Sequence, residues 1–176
     1  IALGLEQLGM ESQDHASILS ENCPEWLFCD LAIQSLRGVS VGIYPTNSAE
    51  QVQYIVDHSQ SRFVIAGDQE QTDKLLEVKG KLPLLERIIV IDVRGLRHYD
   101  DEKIIGITEV EELGRKIDDK DPDRFYQLVA ETQADDVAML IYTSGTTGPP
   151  KGCMICHRNH ITNINGINDI LHLTEK

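Results

Sequence analysis

The sequence predicts an α/β fold: a layered, largely parallel sheet with helices on both faces. Three observations lead there. Short apolar runs alternate with segments of helical periodicity, the pattern of successive parallel β-α-β units. The run Arg87-Ile88-Ile89-Val90-Ile91 is almost continuously apolar, as suits a strand covered on both sides. A further apolar run, Val137-Ala138-Met139-Leu140, leads into the segment Ile141-Tyr142-Thr143-Ser144-Gly145-Thr146-Thr147-Gly148-Pro149-Pro150-Lys151-Gly152. Sheets of this class bind ligands in loops at the carboxyl ends of their strands, where that segment is expected to lie.

Taken in order, residues 3–10 carry Leu5 and Leu8 at helical spacing, and a polar turn leads to the strand Ala16-Ser17-Ile18-Leu19. Pro24 suits the first position of a helix, with Glu25 beside it favoured by the helix dipole. Residues 26–36 are apolar nearly all round until Arg37-Gly38 ends the pattern, so this helix is expected to be buried. Val39-Ser40-Val41-Gly42-Ile43-Tyr44 reads as a second strand, stopped by Pro45. Ser48 then caps a helix with Gln51 placed for a capping box, and Val52, Ile55 and Val56 form its apolar stripe. Residues 62–66 read as a third strand, 70–81 as a third helix and 87–91 as a fourth strand. Residues 92–124 are roughly half charged and read as a surface excursion, with a short acidic helix capped by Thr108 and another starting at Pro122. Its acidic runs Asp100-Asp101-Glu102 and Asp118-Asp119 lack the glycine-punctuated spacing of a cation loop and read as solvated surface. Residues 159–173 form a final helical pattern.

The chain has 176 residues, 41% of them hydrophobic, enough to bury a sizeable core as one domain or part of a larger one. It opens and closes inside amphipathic patterns, so it is expected to be part of a longer protein. The net charge of −13 argues against nucleic acid or an anionic membrane surface as the main partner. An anionic ligand would need a local basic spot, for which Lys151 and Arg158 are the expected residues. Cys23 and Cys29 stand in an apolar setting and read as small hydrophobes. Cys153 and Cys156, followed by His157 and His160, spell C-x-x-C-H, which taken alone signals haem attachment or part of a zinc site. If 152–157 is a strand, the two thiols point to opposite faces with Cα atoms about 10 Å apart. That is beyond the roughly 7 Å reach of a disulfide and unsuited to one shared metal. Reduced cysteines point to the cytosol.

The Gly/Thr loop has the chemistry of a phosphate cradle. Thr143, Ser144, Thr146 and Thr147 offer hydroxyl donors, and Gly145 and Gly148 tolerate the positive φ that turns backbone N–H groups into an anion nest. Lys151 supplies a mobile positive charge at the far rim, beyond the stiff pair Pro149-Pro150. The Walker spacing fails, because Pro150 stands where its second glycine belongs and Gly152 where its hydroxyl residue belongs; no G-x-G-x-x-G is present. Instead the segment from Thr143 to Gly152 resembles the phosphate loop of the adenylate-forming superfamily, which includes acyl-CoA synthetases, amino-acid adenylation domains and luciferases: Thr-Ser-Gly-Thr-Thr-Gly, one variable residue, then Pro-Lys-Gly. The stretches Ser20-Glu21-Asn22-Cys23-Pro24-Glu25-Trp26 and Gly42-Ile43-Tyr44-Pro45-Thr46-Asn47 are similar to the early part of long-chain fatty acid–CoA ligases.

The resemblance implies a partial amino-terminal, AMP-binding domain over 1–176, with its phosphate loop at 143–152. It implies two steps: a fatty acid carboxylate attacks the α-phosphate of ATP, giving acyl-adenylate and pyrophosphate, and the thiol of coenzyme A then displaces AMP. Thr143, Ser144, Gly145, Thr146, Thr147, Gly148 and Lys151 are the implied ATP-binding residues, with Lys151 acting on the leaving pyrophosphate. The adenine pocket, the acidic ligand for Mg²⁺ and the mobile late lysine come from sequence further on in the family, so the chain alone is expected to be inactive. Fatty acid, ATP and coenzyme A are the implied partners, in the cytosol, with peripheral membrane contact left open. The alternatives are an amino-acid adenylation domain, a non-catalytic nucleotide-binding module, or a small haem or redox protein built on Cys153 and Cys156.

Overall fold

The computed structural model describes residues 1–143 and 148–171. Among them seven strands form one sheet: β1 (His15–Leu19), β2 (Val39–Ile43), β3 (Phe63–Ala66), β4 (Arg87–Val90), β5 (Ile104–Gly106), β6 (Val137–Thr143) and β7 (Lys151–Cys156). Their order is β5-β4-β3-β1-β2-β6-β7. Every neighbouring pair is parallel except β6–β7, which forms an antiparallel hairpin. The helices are α1 (Ala2–Gln7), α2 (Pro24–Ser35), α3 (Ala49–His58), α4 (Gln69–Val78), α5 (Ile107–Asp118), α6 (Arg124–Ala130) and α7 (His157–Leu171).

Side chains alternate across a strand, and here each face meets its own helices. Val39, Val41, Val64, Ile88 and Val90 pack under α3 and α4, whose Val52, Ile55, Val56 and Leu75 complete that core. Ala16, Ile18, Phe63, Ile65 and Ile89 face the other way, toward Leu5 of α1, Cys29 and Ile33 of α2, and Ile107 and Val110 of α5. The two-faced α/β architecture expected from the alternating pattern is the one observed. α1 and α5 touch through glycines: a Cβ on Gly4 would stand 2.0 Å from the Val110 carbonyl oxygen, so only hydrogen fits at that crossing. Three buried serines satisfy one another, with Ser17 and Ser59 each 2.8 Å from the Ser61 hydroxyl.

The capping box at α3 is present as expected: the Ser48 hydroxyl accepts from Gln51 N–H, and the Gln51 side chain accepts from Ser48 N–H at 2.9 Å. Three expectations need correction. α2 is buried through Cys29, Asp30, Ala32 and Ile33, but Leu27, Phe28 and Leu31 on its outer face are about half exposed. An apolar pattern all round reports what a helix could bury, whereas the sheet covers one face only. The acidic helix in 92–124 is capped by Gly106, not Thr108, because the Glu109 carboxylate reaches back to accept from Gly106 N–H at 3.1 Å. That stretch also contains β5, which adds to the sheet beside β4 in the register Ile89↔Ile105. At three residues, β5 is too short to show a period of its own.

Candidate functional site

β6 lies beside β2 in the register Val41↔Leu140, so its carboxyl end emerges beside the loops that follow β1 and β2. The chain leaves β6 at Thr143 and returns as β7 at Lys151, and these two residues are cross-strand partners. Thr143, Gly148 and Lys151 are therefore gathered at the mouth of one hairpin loop. Ser144, Gly145, Thr146 and Thr147 lie outside the described residues. Gly148 has φ +89° and no heavy atom within 4 Å of an added Cβ, so backbone conformation and not space calls for glycine there. Lys151 is exposed and makes no ion pair among the described residues. Its charge is available to an anion.

Two hollows open beside this loop. One, about 420 Å³, is lined by Asn22, Trp26, Gly42, Tyr44, Leu140 and Tyr142, among others. The other, about 440 Å³, lies against α3 and is lined by Asn47, Gln51, Tyr54, Tyr142 and Pro150, among others. A third, about 350 Å³ between α1, α5 and α6, touches none of the loop residues. The first two share Tyr44 and Tyr142, and both sit at carboxyl strand ends, where the parallel sheet directs ligands.

The helix α3 holds both flanks of the loop. Tyr54 donates its hydroxyl proton to the Pro150 carbonyl at 2.9 Å, and His58 Nδ1 lies 2.7 Å from the Tyr142 hydroxyl. The rings of Tyr54 and His58 stack at 5.3 Å, and His58 meets Tyr142 edge-on at 5.7 Å. Burial, with a smaller contribution from nearby Tyr54, pushes the Tyr142 hydroxyl up to about 12, so it keeps its proton at neutral pH. Tyr54 and His58 were not singled out from the sequence. The available signal was their i, i+4 spacing on α3, which places them on one face away from the apolar stripe.

Arg158 is not at the loop. It pairs with Asp135 at 2.7 Å, at the far end of the hairpin, because β7 runs back along the whole of β6 before α7 begins. The expectation of a basic spot formed with Lys151 is corrected accordingly. The strand expected over 152–157 is present as β7, with Cys153 exposed and Cys156 half-buried; the Cys156 thiol donates to the Asn159 side chain at 3.1 Å. Cys29 packs as a small hydrophobe, and burial pushes its thiol up to about 12. Cys23 is only half-buried, as the N-cap residue of α2.

A mostly parallel sheet whose strand end opens into a hydroxyl- and glycine-rich loop, with an exposed lysine at the rim, has the layout of a nucleotide-binding α/β protein. Residues 1–175 match the family of AMP-binding enzymes, and the chain belongs to that family. It is 35% identical over 164 residues to a long-chain-fatty-acid–CoA ligase of Xenopus laevis, covering 90% of this chain and 21% of that protein. It is 34% identical to a long-chain-fatty-acid–CoA ligase of Mycobacterium bovis, covering 94% of this chain and 26% of that one. The crystal structure of an anthranilate CoA ligase in complex with anthranoyl-AMP superposes with a TM-score of 0.76 at 24% identity, over 93% of this chain and 29% of that one. That of a long-chain-fatty-acid–CoA ligase from Archaeoglobus fulgidus does so with a TM-score of 0.69 at 18% identity, over 98% of this chain and 31% of that one. The chain thus spans between about a fifth and a third of the length of these relatives.

Proposed function

We propose that the chain is the amino-terminal part of the AMP-binding domain of a long-chain fatty acid–CoA ligase. In this reading a fatty acid carboxylate oxygen attacks the α-phosphorus of ATP. The bond to the β-phosphate oxygen breaks, pyrophosphate leaves, and acyl-adenylate remains. The sulfur of coenzyme A then attacks the acyl carbon, AMP leaves, and the thioester forms. Thr143, Ser144, Gly145, Thr146, Thr147, Gly148 and Lys151 serve the first step. Negative charge builds on the departing pyrophosphate, and preoriented donors with a lysine beside them stabilise it where it develops.

The observation that carries this reading is the pairing of Thr143 with Lys151 across the hairpin, which supports an uncommitted cation at the rim of a Gly/Thr loop on the ligand-binding edge of the sheet. The relatives' names support the substrate class. The apolar side of α7, where Ile161, Ile164, Ile167 and Ile170 are all exposed, supports a larger body that covers it. Mg²⁺ would accompany ATP. Its acidic ligand is expected outside this chain, as the family resemblance implies. No helix among the described residues is long and apolar enough to cross a membrane. Free cysteines among those residues support a reducing, cytosolic setting, with peripheral membrane contact as the place where a long-chain substrate is met.

In the complete ligase, Lys151→Ala is expected to lower kcat for adenylation by about 10²–10³, the usual effect of removing one preorganised donor. Thioester formation from supplied acyl-adenylate should be nearly spared. Thr146→Val and Thr147→Val should cost less, since neighbouring N–H groups partly cover for a lost hydroxyl. Equal loss of both half-reactions, in a variant that stays folded by circular dichroism, would refute leaving-group stabilisation. A substrate panel tests the acyl class: acetate or an amino acid preferred over palmitate or oleate would overturn it.

A further inference from the structure

The phosphate-loop pattern accounts for the loop and its lysine but not for the helix that grips both of the loop's ends. We propose that Tyr54 and His58 of α3 are positioning residues for the phosphate loop, Tyr54 anchoring its outgoing flank through Pro150 and His58 its incoming flank through Tyr142. The proposal rests on the reading of this loop as the place where pyrophosphate leaves.

Each anchor lies one residue from a proposed phosphate-binding group. Pro150 adjoins Lys151, and Tyr142 adjoins Thr143. Pro150 has no N–H, so its carbonyl is the only backbone group by which it can be held, and Tyr54 donates to that carbonyl at 2.9 Å. Proline also fixes φ, so a held Pro150 carbonyl sets the direction in which the chain delivers Lys151. The Tyr142 hydroxyl, 2.7 Å from His58 Nδ1, keeps its proton at neutral pH, and the two groups share a hydrogen bond. The base of the clamp is firm. On the opposite face of α3, Val52, Ile55 and Val56 are in the core, at 0%, 4% and 1% exposure.

Gly152 completes the arrangement. It stands opposite Tyr142 in the hairpin, and a Cβ there would lie 3.3 Å from the Tyr142 ring. A side chain at 152 would press on the ring and require it to give by a few tenths of an ångström. The glycine of the Pro-Lys-Gly segment thus leaves the Tyr142 ring unstrained in the position from which its hydroxyl meets His58.

Magnitudes separate positioning from mere packing. A neutral hydrogen bond adds little to stability, so its loss alone changes affinity or folding by about fivefold. A displacement of a catalytic group by about 1 Å, in contrast, can cost on the order of 10²-fold in rate. In the complete ligase, Tyr54→Phe and His58→Leu should each lower kcat for pyrophosphate release about tenfold, with KM for ATP changed by less than about threefold. Thioester formation from supplied acyl-adenylate should be unaffected. His58→Asn, whose amide reaches the position of Nδ1, should recover most of the rate lost in His58→Leu. Gly152→Ala, which removes no polar group but pushes the Tyr142 ring, should show the same split. The proposal is overturned if Tyr54→Phe and His58→Leu adenylate at the parent rate, if both half-reactions fall together, or if His58→Asn is no better than His58→Leu. Lys151→Ala, run alongside, separates the two ideas. Should it leave adenylation intact, the reading of the loop falls; should it slow adenylation while Tyr54→Phe does not, only the clamp falls.

Discussion

Strands β1 to β4 and the β6–β7 hairpin belong to one sheet, yet they meet solvent in opposite ways. Phe63, Val64, Ile88 and Ile89 are wholly buried between two layers of helices. Across the sheet, β7 and all of α7 contain no buried residue among those described, and Ile141 at the end of β6 is about half exposed. The same kinds of residue thus do different work. In the centre, apolar side chains supply burial, at about 25 cal/mol for each Å² of apolar surface removed from water. In the hairpin, backbone pairing sets the register, and what the register delivers is a loop with Thr143 facing Lys151. The stable part of the sheet carries the fold, and its open side carries the candidate chemistry, as expected where loops on a rigid scaffold supply function.

Substitutions can probe that contrast from its strong end to its weak one. Phe63→Ala empties a fully enclosed site between β3 and the helices of one face. It should destabilise the chain by about 3–5 kcal/mol, read from the shift of the urea midpoint. A cost below about 1 kcal/mol would show that the centre is not the stabilising region.

The tie between the two regions should be weaker and should depend on pH. Arg37, just past α2, donates to Asp136, just before β6, at 2.8 Å, and the Arg37 guanidinium holds the Asp136 carboxyl below the usual carboxylate range. Its pair stability is therefore fully present above the unfolded value, near pH 3.9, and is lost as pH falls through the lower folded value. Asp136→Asn should lower the urea midpoint at pH 7, and the gap to the parent should close in strong acid. A gap of the same size at pH 7 and pH 2.5 would mean that the pair's charge contributes nothing to joining hairpin and sheet.

The smallest effect is expected on β7. Met154 is 71% exposed, so Met154→Ala should change the chain's stability by no more than about 0.5 kcal/mol. Repeated in the full-length protein, the same substitution should cost more if β7 is covered there, which sharpens the contrast between the two regions.

Much of the fold was legible from local pattern. The continuous apolar run at β4, the capping box at Ser48 and the apolar stripe of α3 each depend on neighbours within a turn or a few residues, and each appears in the structure. Other features were not legible, for identifiable reasons. β5 is a strand only because β4 offers a free edge beside it. The outer face of α2 is exposed because amphipathic pattern cannot say how many neighbours arrive. Arg158 looked close to Lys151 in the sequence, but a six-residue antiparallel strand carries it to the other end of the hairpin. Tyr54 and His58 are 96 and 84 residues from the groups they hold, a separation no local motif spans.

By itself the sequence determined the class of fold, the hydroxyl- and glycine-rich make-up of the loop and the presence of a lysine beside it, because propensity, patterning and a ten-residue motif are properties of adjacent residues. The tertiary structure alone decided which face each helix buries, where the charges of β7 and α7 end up, and which helix holds the loop. Those depend on which distant segments the sheet order brings side by side, and that order is set by how all the apolar faces are buried at once.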